Sequence, residues 1–275
     1  MSYRTALAEV LTRVVAPRAE LTGAEGRFPR GAVTALGASG LLGLTVSAEF
    51  GGAGLGLPEA AEVVARTARV CPATAAVLQA HYAAVAVIEP YGSSWVRGEI
   101  AAGRHLSSLA LVEDGTGDQE LLAPSCAAVR SGGVVALRAR KRRVVAAGEA
   151  DSYVWSSRPL GVPDGLSLWM VPAHAPDLFV PARPDVPARP DVSGPSGSAT
   201  STVLADPVLV PADAMLGADG DGYDIVRRTV LPWLCELRAA AGAEGFRRTT
   251  DTARSPVGSL TPEGVRPTAG SLTPS

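Results

Sequence analysis

Three features of this 275-residue chain predict an α+β fold, with an N-terminal all-helical domain, an antiparallel β-barrel or sandwich domain and a remnant C-terminal helix. In roughly the first hundred residues, apolar side chains recur at helical spacing, with Pro near helix starts and Gly near helix ends. From Leu106 the apolar runs become short, rich in Val, Leu and Trp, and bounded by Gly, Pro or Asp, as in strands. Near residue 214 the helical pattern returns. The predicted division is 1–104 helical, 105–213 β, 214–250 a single helix and 251–275 a disordered tail.

The elements follow in order. Residues 3–21 place Ala6, Leu7, Val10, Leu11, Val14 and Val15 at i, i+3, i+4 spacing, an amphipathic helix. Pro29, Pro58 and Pro72 each suit a first helical position, where the missing N–H costs nothing. They open "RGAVTALGASGLLGL", "EAAEVVARTARV" and "ATAAVLQAHYAAVAVIEPYG", and the short "SSWVRGEIAAG" closes the run. The stretch "AEFGGAGLGLP" at 48–58 carries more glycine than a plain helix–helix joint needs. With no strand before it and no Lys-Ser/Thr after it, this is an architectural turn and not a phosphate loop. The predicted antiparallel strands are "LSSLALVE", "CAAVRS", "VVALRAR", "RRVVAA", "SYVWSS", "GLSLWMVPA" and "TSTVLADPVLV". Between the last two, a tandem "PARPDV" at 181–192 predicts a long loop, because its prolines forbid a central strand. The final helix, "GDGYDIVRRTVLPWLCELRAAAGAEGFRRTT", is expected to break at Pro232. The polar tail repeats "GSLTP".

Composition excludes several classes of function. A net charge of −2 gives no pull toward nucleic acid or anionic membrane. No apolar run reaches membrane-spanning length, and charges interrupt the first apolar stretch, so a soluble, cytoplasmic protein is expected. Cys71, Cys126 and Cys235 are far apart and lie among apolar residues, as buried thiols do. With three His and no Cys/His cluster, no metal site is expected.

Two stretches carry a family resemblance. Residues 28–59, "FPRGAVTALGASGLLGLTVSAEFGGAGLGLPE", run from a helix into an acid–aromatic–Gly-Gly-x-Gly turn. Residues 205–223, "ADPVLVPADAMLGADGDGY", run from a strand through a Val-Pro-Ala-Asp turn toward a helix. Both resemble the acyl-CoA dehydrogenase family, in its order, over about residues 28–246. The resemblance implies FAD-dependent α,β-dehydrogenation of an acyl thioester, carried on CoA or an acyl carrier protein. A glutamate base takes the α-proton and the flavin takes the β-hydride.

The resemblance also implies where the cofactor would lie. One family segment reads Thr-Glu-Pro-x-x-Gly-Ser-Asp, and here "VEDGTGDQ" stands at 112–119. A second reads Lys-x-(Trp/Phe)-Ile-(Ser/Thr)-Asn, and here "KRRVVA" stands at 141–146. The implied cofactor residues are Leu111, Val112, Glu113, Gly117, Asp118, Arg143, Val144 and Val145. Val112 and Val145 replace hydroxyl residues that would bond the flavin, Arg143 replaces an aromatic, and Asp118 adds negative charge near an anionic cofactor. Some members of the family place the base on the helix after the β domain, which makes Glu236 the candidate catalytic residue.

In the family a four-helix bundle would begin near Arg238, whereas this chain supplies one helix and a tail. Val226, Val230, Leu231, Trp233, Leu234 and Leu237 of that helix are therefore expected to face water. Self-association, or a complex with a second chain of the same family, would cover them. Three functions stay open: a flavin enzyme completed by a partner, a cofactor-independent enzyme on the same fold (elimination, isomerisation or cyclisation), and a non-catalytic partner subunit. His81, Trp155 and Trp169 read as core residues, His105 as a boundary residue, and "RARKRR" at 138–143 as a solvated strand face.

Overall fold

A computed structural model of the chain describes residues 2–113, 126–181 and 194–252. The helical domain begins with α1 (Tyr3–Val10) and α2 (Ala16–Glu25), joined without interruption by a π-helical turn, Leu11–Val15. Pro17 follows that turn by two residues. Because proline lacks an N–H and its ring crowds the carbonyl four residues back, a widened turn lets the helix run through it. Helices α3 (Arg30–Ala38), α4 (Leu57–Ala68), α5 (Pro72–Tyr91) and α6 (Ser94–Ala101) complete the domain.

Helix α5 is buried along nearly its whole length, packed against α4 and the β domain, which explains its apolar circumference. Its His81 is fully buried. The Ser107 amide donates to His81 Nδ1 at 3.2 Å, so the ring proton sits on Nε2 and is donated to the Leu42 carbonyl at 3.0 Å. Burial holds this imidazole down at a pKa of about 4.

The Gly-rich turn reverses the chain after a 3₁₀ turn, Ala48–Phe50. A Cβ on Gly52 would lie 2.1 Å from the Val46 carbonyl oxygen, so only glycine fits this closely doubled backbone. The two side chains that open the motif have different places: Glu49 is exposed, and the Arg97 guanidinium stacks 3.8 Å from the centroid of Phe50.

Among the described residues, the β domain forms two four-stranded sheets that share one core. The first, in order β1-β4-β5-β8, holds β1 (Ser107–Ala110), β4 (Ser152–Ser157), β5 (Ser167–Pro172) and β8 (Met215–Leu216). The second, in order β2-β3-β7-β6, holds β2 (Ala127–Ser131), β3 (Val134–Val144), β7 (Ser201–Pro211) and β6 (Leu178–Phe179). Trp155 and Trp169 of the first sheet are fully buried in a core shared with Val135, Leu137, Val203 and Val208 of the second. Two strand expectations need correction. β1 pairs with β4 in parallel, because the long excursion through β2 and β3 returns the chain on the same heading. "VVALRAR" and "RRVVAA" form one bent strand, β3, whose irregular register absorbs the Arg-rich middle.

The C-terminal run comprises α7 (Gly222–Ile225), a second π turn, Val226–Val230, and α8 (Leu231–Thr252). Pro232 again follows the π turn by two residues, so the expected break is a widened turn inside a continuous helix. The expected bare apolar face is also corrected. Val226, Val230 and Leu237 are fully buried, and Leu231, Trp233 and Leu234 are half-buried, because this run lies across α4 and α5 of its own chain. That stripe therefore supplies no separate argument for a partner. The tandem "PARPDV" (from 182) and the "GSLTP" tail lie outside the described residues.

Candidate functional site

A cleft of about 290 Å³ opens where α5, the β1 edge, the end of β3 and α8 meet. Helix α8 contributes Leu231, Leu234, Cys235 and Arg238 at i, i+3, i+4 and i+7, one continuous stripe. Helix α5 faces it with Ala76, Gln79 and Ala80 on the same spacing. The β domain adds Leu109, Leu111, Val112, Arg142, Arg143, Val145 and Thr200, and Gly194 and Pro195 lie at the edge.

A bulge in β3 aims the arginines. Between the pairs Lys141–Val203 and Val144–Ser201, β3 spends one residue more than β7. Arg143 absorbs it at φ 52°, a left-handed conformation that a residue with a Cβ adopts only when its surroundings hold it there. Lys141 and Val144 then both point into the core while Arg143 turns to the cleft. Among the described residues, neither Arg143 nor Arg238 has a carboxylate partner.

Behind this wall sits a buried ion pair that the sequence reading missed. Lys141, expected on a solvated face, is fully buried. Its Nζ donates to Glu113 Oε1 at 2.5 Å, to the Ser156 carbonyl at 2.7 Å and to Ser156 Oγ at 2.8 Å, using all three protons. Burial pulls the Lys141 ammonium below the usual lysine range, and Glu113 opposes the shift. An isolated bridge between Glu113 and Lys141, and the Arg142 amide donating to the Val112 carbonyl at 2.7 Å, tie the two wall segments together. Alternation along β3 points to an inward side chain at 141, but only pairing shows that a charge can go there.

The candidate residues are thus divided. Leu111, Val112, Arg143 and Val145 meet in the cleft. Glu113 is taken up by Lys141, and Val144 is a core residue. Gly117 and Asp118 lie outside the described residues. Glu236 is exposed and does not line the cleft, since it is turned about 100° round the helix from Cys235. Gln79, Cys235 and Arg238 line the cleft, and no sequence motif singles them out. The i, i+3, i+4, i+7 stripe of α8 is the signal that could have found the last two.

Residues 2–102 match the profile of the acyl-CoA dehydrogenase N-terminal domain. The chain is 26% identical over 220 residues to an acyl-CoA dehydrogenase of Bacillus subtilis (strain 168), covering 77% of this chain and 56% of that one. Residues 2–102 thus resemble an acyl-CoA dehydrogenase N-terminal domain, and the similarity to acyl-CoA dehydrogenases continues into the β domain. The chain is 28% identical over 214 residues to the human mitochondrial short-chain specific acyl-CoA dehydrogenase, covering 75% of this chain and 50% of that one. The solved structure of butyryl-CoA dehydrogenase from Megasphaera elsdenii shares the fold, with a TM-score of 0.79 at 18% identity over 92% of this chain and 68% of that one. The chain spans about half the length of the curated relatives it matches.

Acyl-CoA dehydrogenases generally use FAD, so the wall can be tested against a flavin ring. Val112 and Val145 present aliphatic side chains to the cleft. The Ser108 hydroxyl is committed to the Val145 carbonyl at 2.7 Å, and Thr200 Oγ1 lies 2.7 Å from Ser198 Oγ. Among the described residues, a polar-edged ring buried there would lack side-chain hydroxyl partners, at about 1–3 kcal/mol for each unsatisfied group. The described residues do not fit a flavin.

Proposed function

We propose that the cleft binds an acyl thioester, the substrate class of the acyl-CoA dehydrogenase family, and that this chain holds the ligand without a flavin. One observation carries the reading: an apolar slot between α5 and α8 is edged by Arg143 and Arg238, two guanidiniums with no carboxylate partner among the described residues. An aliphatic acyl chain suits the Leu109, Leu111, Leu231 and Leu234 walls, and the anionic phosphates of a CoA or phosphopantetheine carrier suit the arginines. The dehydrogenation implied by the family needs a hydride acceptor and a base. Val112 and Val145 argue against the first. Among the described residues no carboxylate lines the cleft, which argues against the second. Binding and presentation of the thioester is the reading these side chains support best. Calorimetric titration with butyryl-CoA tests it. We expect saturable binding that weakens at least tenfold in the Arg143→Met/Arg238→Met double variant. No binding, or binding indifferent to both substitutions, overturns the reading.

A further inference from the structure

A second cavity, of about 290 Å³, lies in the helical domain between the α1–α2 run, the start of α3 and the start of α5. Its floor is buried: Val15, Ala32, Cys71 and Thr74 all line it. Thr74 is fully buried, and its hydroxyl has no hydrogen-bond partner. A buried hydroxyl left unpaired costs about 1–3 kcal/mol, so its persistence beside a cavity points to a partner that enters from outside.

Two helices begin at this cavity, and neither has a side-chain cap or an acidic residue in its first turn. Thr74 is the third residue of α5 and Gly31 the second of α3, so the first turns of both helices border the space; of the α3 start amides, those of Arg30 and Ala32 are already bonded to the Phe28 and Pro29 carbonyls. Arg18 lies over Gly31, so close that a Cβ there would meet Nη1 at 2.6 Å. The other cations on the rim are engaged: Arg27 pairs with Glu25 at 2.8 Å, and Arg30 pairs with Glu149. Arg18 has no carboxylate partner among the described residues. The remaining walls are apolar apart from Thr22, chiefly Val14, Leu21 and Phe28, and Leu21 is exposed on the rim.

We propose that this cavity is a binding site for a small carboxylate with an apolar body. The carboxylate takes the Thr74 hydroxyl, the Arg18 guanidinium and the Gly31 and Thr74 amides, while the body covers Leu21 and Phe28. Glu25 is the one acid among the described rim residues, and Arg27 neutralises it. The site is separate from the thioester cleft and does not depend on the function proposed for it.

The test is calorimetric titration of the full chain with hexanoate, hexan-1-ol and inorganic phosphate. We expect one saturable hexanoate site, with hexan-1-ol and phosphate each at least tenfold weaker. Arg18→Met should weaken hexanoate at least tenfold, and the near-isosteric Thr74→Val at least threefold, with circular dichroism unchanged in both. Arg238→Met, in the other cleft, should leave hexanoate affinity within twofold. No saturable hexanoate binding overturns the proposal, as does binding that survives both Arg18→Met and Thr74→Val within twofold. Loss of hexanoate binding in Arg238→Met would assign it to the thioester cleft and also overturn the proposal. Phosphate bound as tightly as hexanoate overturns the assigned ligand class.

Discussion

His81 and Lys141 show how polar residues are kept inside this chain. His81 is neutral and bonded at both nitrogens, with a pKa of about 4 against an ordinary 6.5. The unfolded chain takes up a proton first as pH falls through 6.5, so stability is full above that value. It declines downward and the loss is complete below about pH 4. The full shift corresponds to about 3 kcal/mol. Urea unfolding at pH 7 and pH 4.5 should show most of that loss, and His81→Gln should flatten it; an unchanged slope would remove His81 as its source. The Lys141–Glu113 pair is the second case. Lys141→Met strands a buried carboxylate and should cost about 3–5 kcal/mol, while Lys141→Met/Glu113→Leu should recover much of it. A double variant no more stable than the single would contradict that account. Both residues are visible in the sequence, but their roles are not equally legible there. An isolated His on an apolar helix reads as core, whereas a Lys inside an Arg-rich run reads as solvated until its partner is known.

At the scale of elements, helix positions are legible because Pro and Gly mark them in chemically specific ways. Pro72 opens α5 as expected, and the glycines at 51–56 make the predicted reversal. Two glycines make opposite predictions. Gly52→Ala puts a methyl 2.1 Å from the Val46 carbonyl, a backbone atom that cannot swing aside, and should destabilise the chain by several kcal/mol. Gly98 sits inside α6 with open space, nothing within 4 Å, where an alanine methyl would stand, so Gly98→Ala should raise stability by about 0.5–1 kcal/mol. Thermal melts of the two variants decide both. The strand register is less legible. The parallel pairing of β1 with β4 depends on where the intervening chain returns, which no local pattern encodes. Periodicity likewise reports that the last helix has an apolar stripe, but not what covers it. Leu237, fully buried where α8 crosses the helical domain, is a direct probe: Leu237→Ala should cost about 2–5 kcal/mol by chemical unfolding, against near zero for a water-facing leucine.

For the molecule as a whole, the resemblance to acyl-CoA dehydrogenases and the positions of two cleft segments can be read from motifs, because those motifs fix backbone geometry. The chemistry of the cleft can be read only in part. Val112, Arg143 and Val145 stand out as departures from the family pattern, and they do line one space. Its other wall, from Gln79 of α5 to Cys235 and Arg238 of α8, is assembled from residues more than a hundred positions apart and carries no local signature. The central claim is that this wall serves an acyl thioester and not a flavin. Its most direct test is the visible absorbance spectrum of the full chain after incubation with excess FAD and gel filtration. A protein fraction with no flavin absorbance is the predicted result. Flavin retained at one equivalent per chain would contradict it.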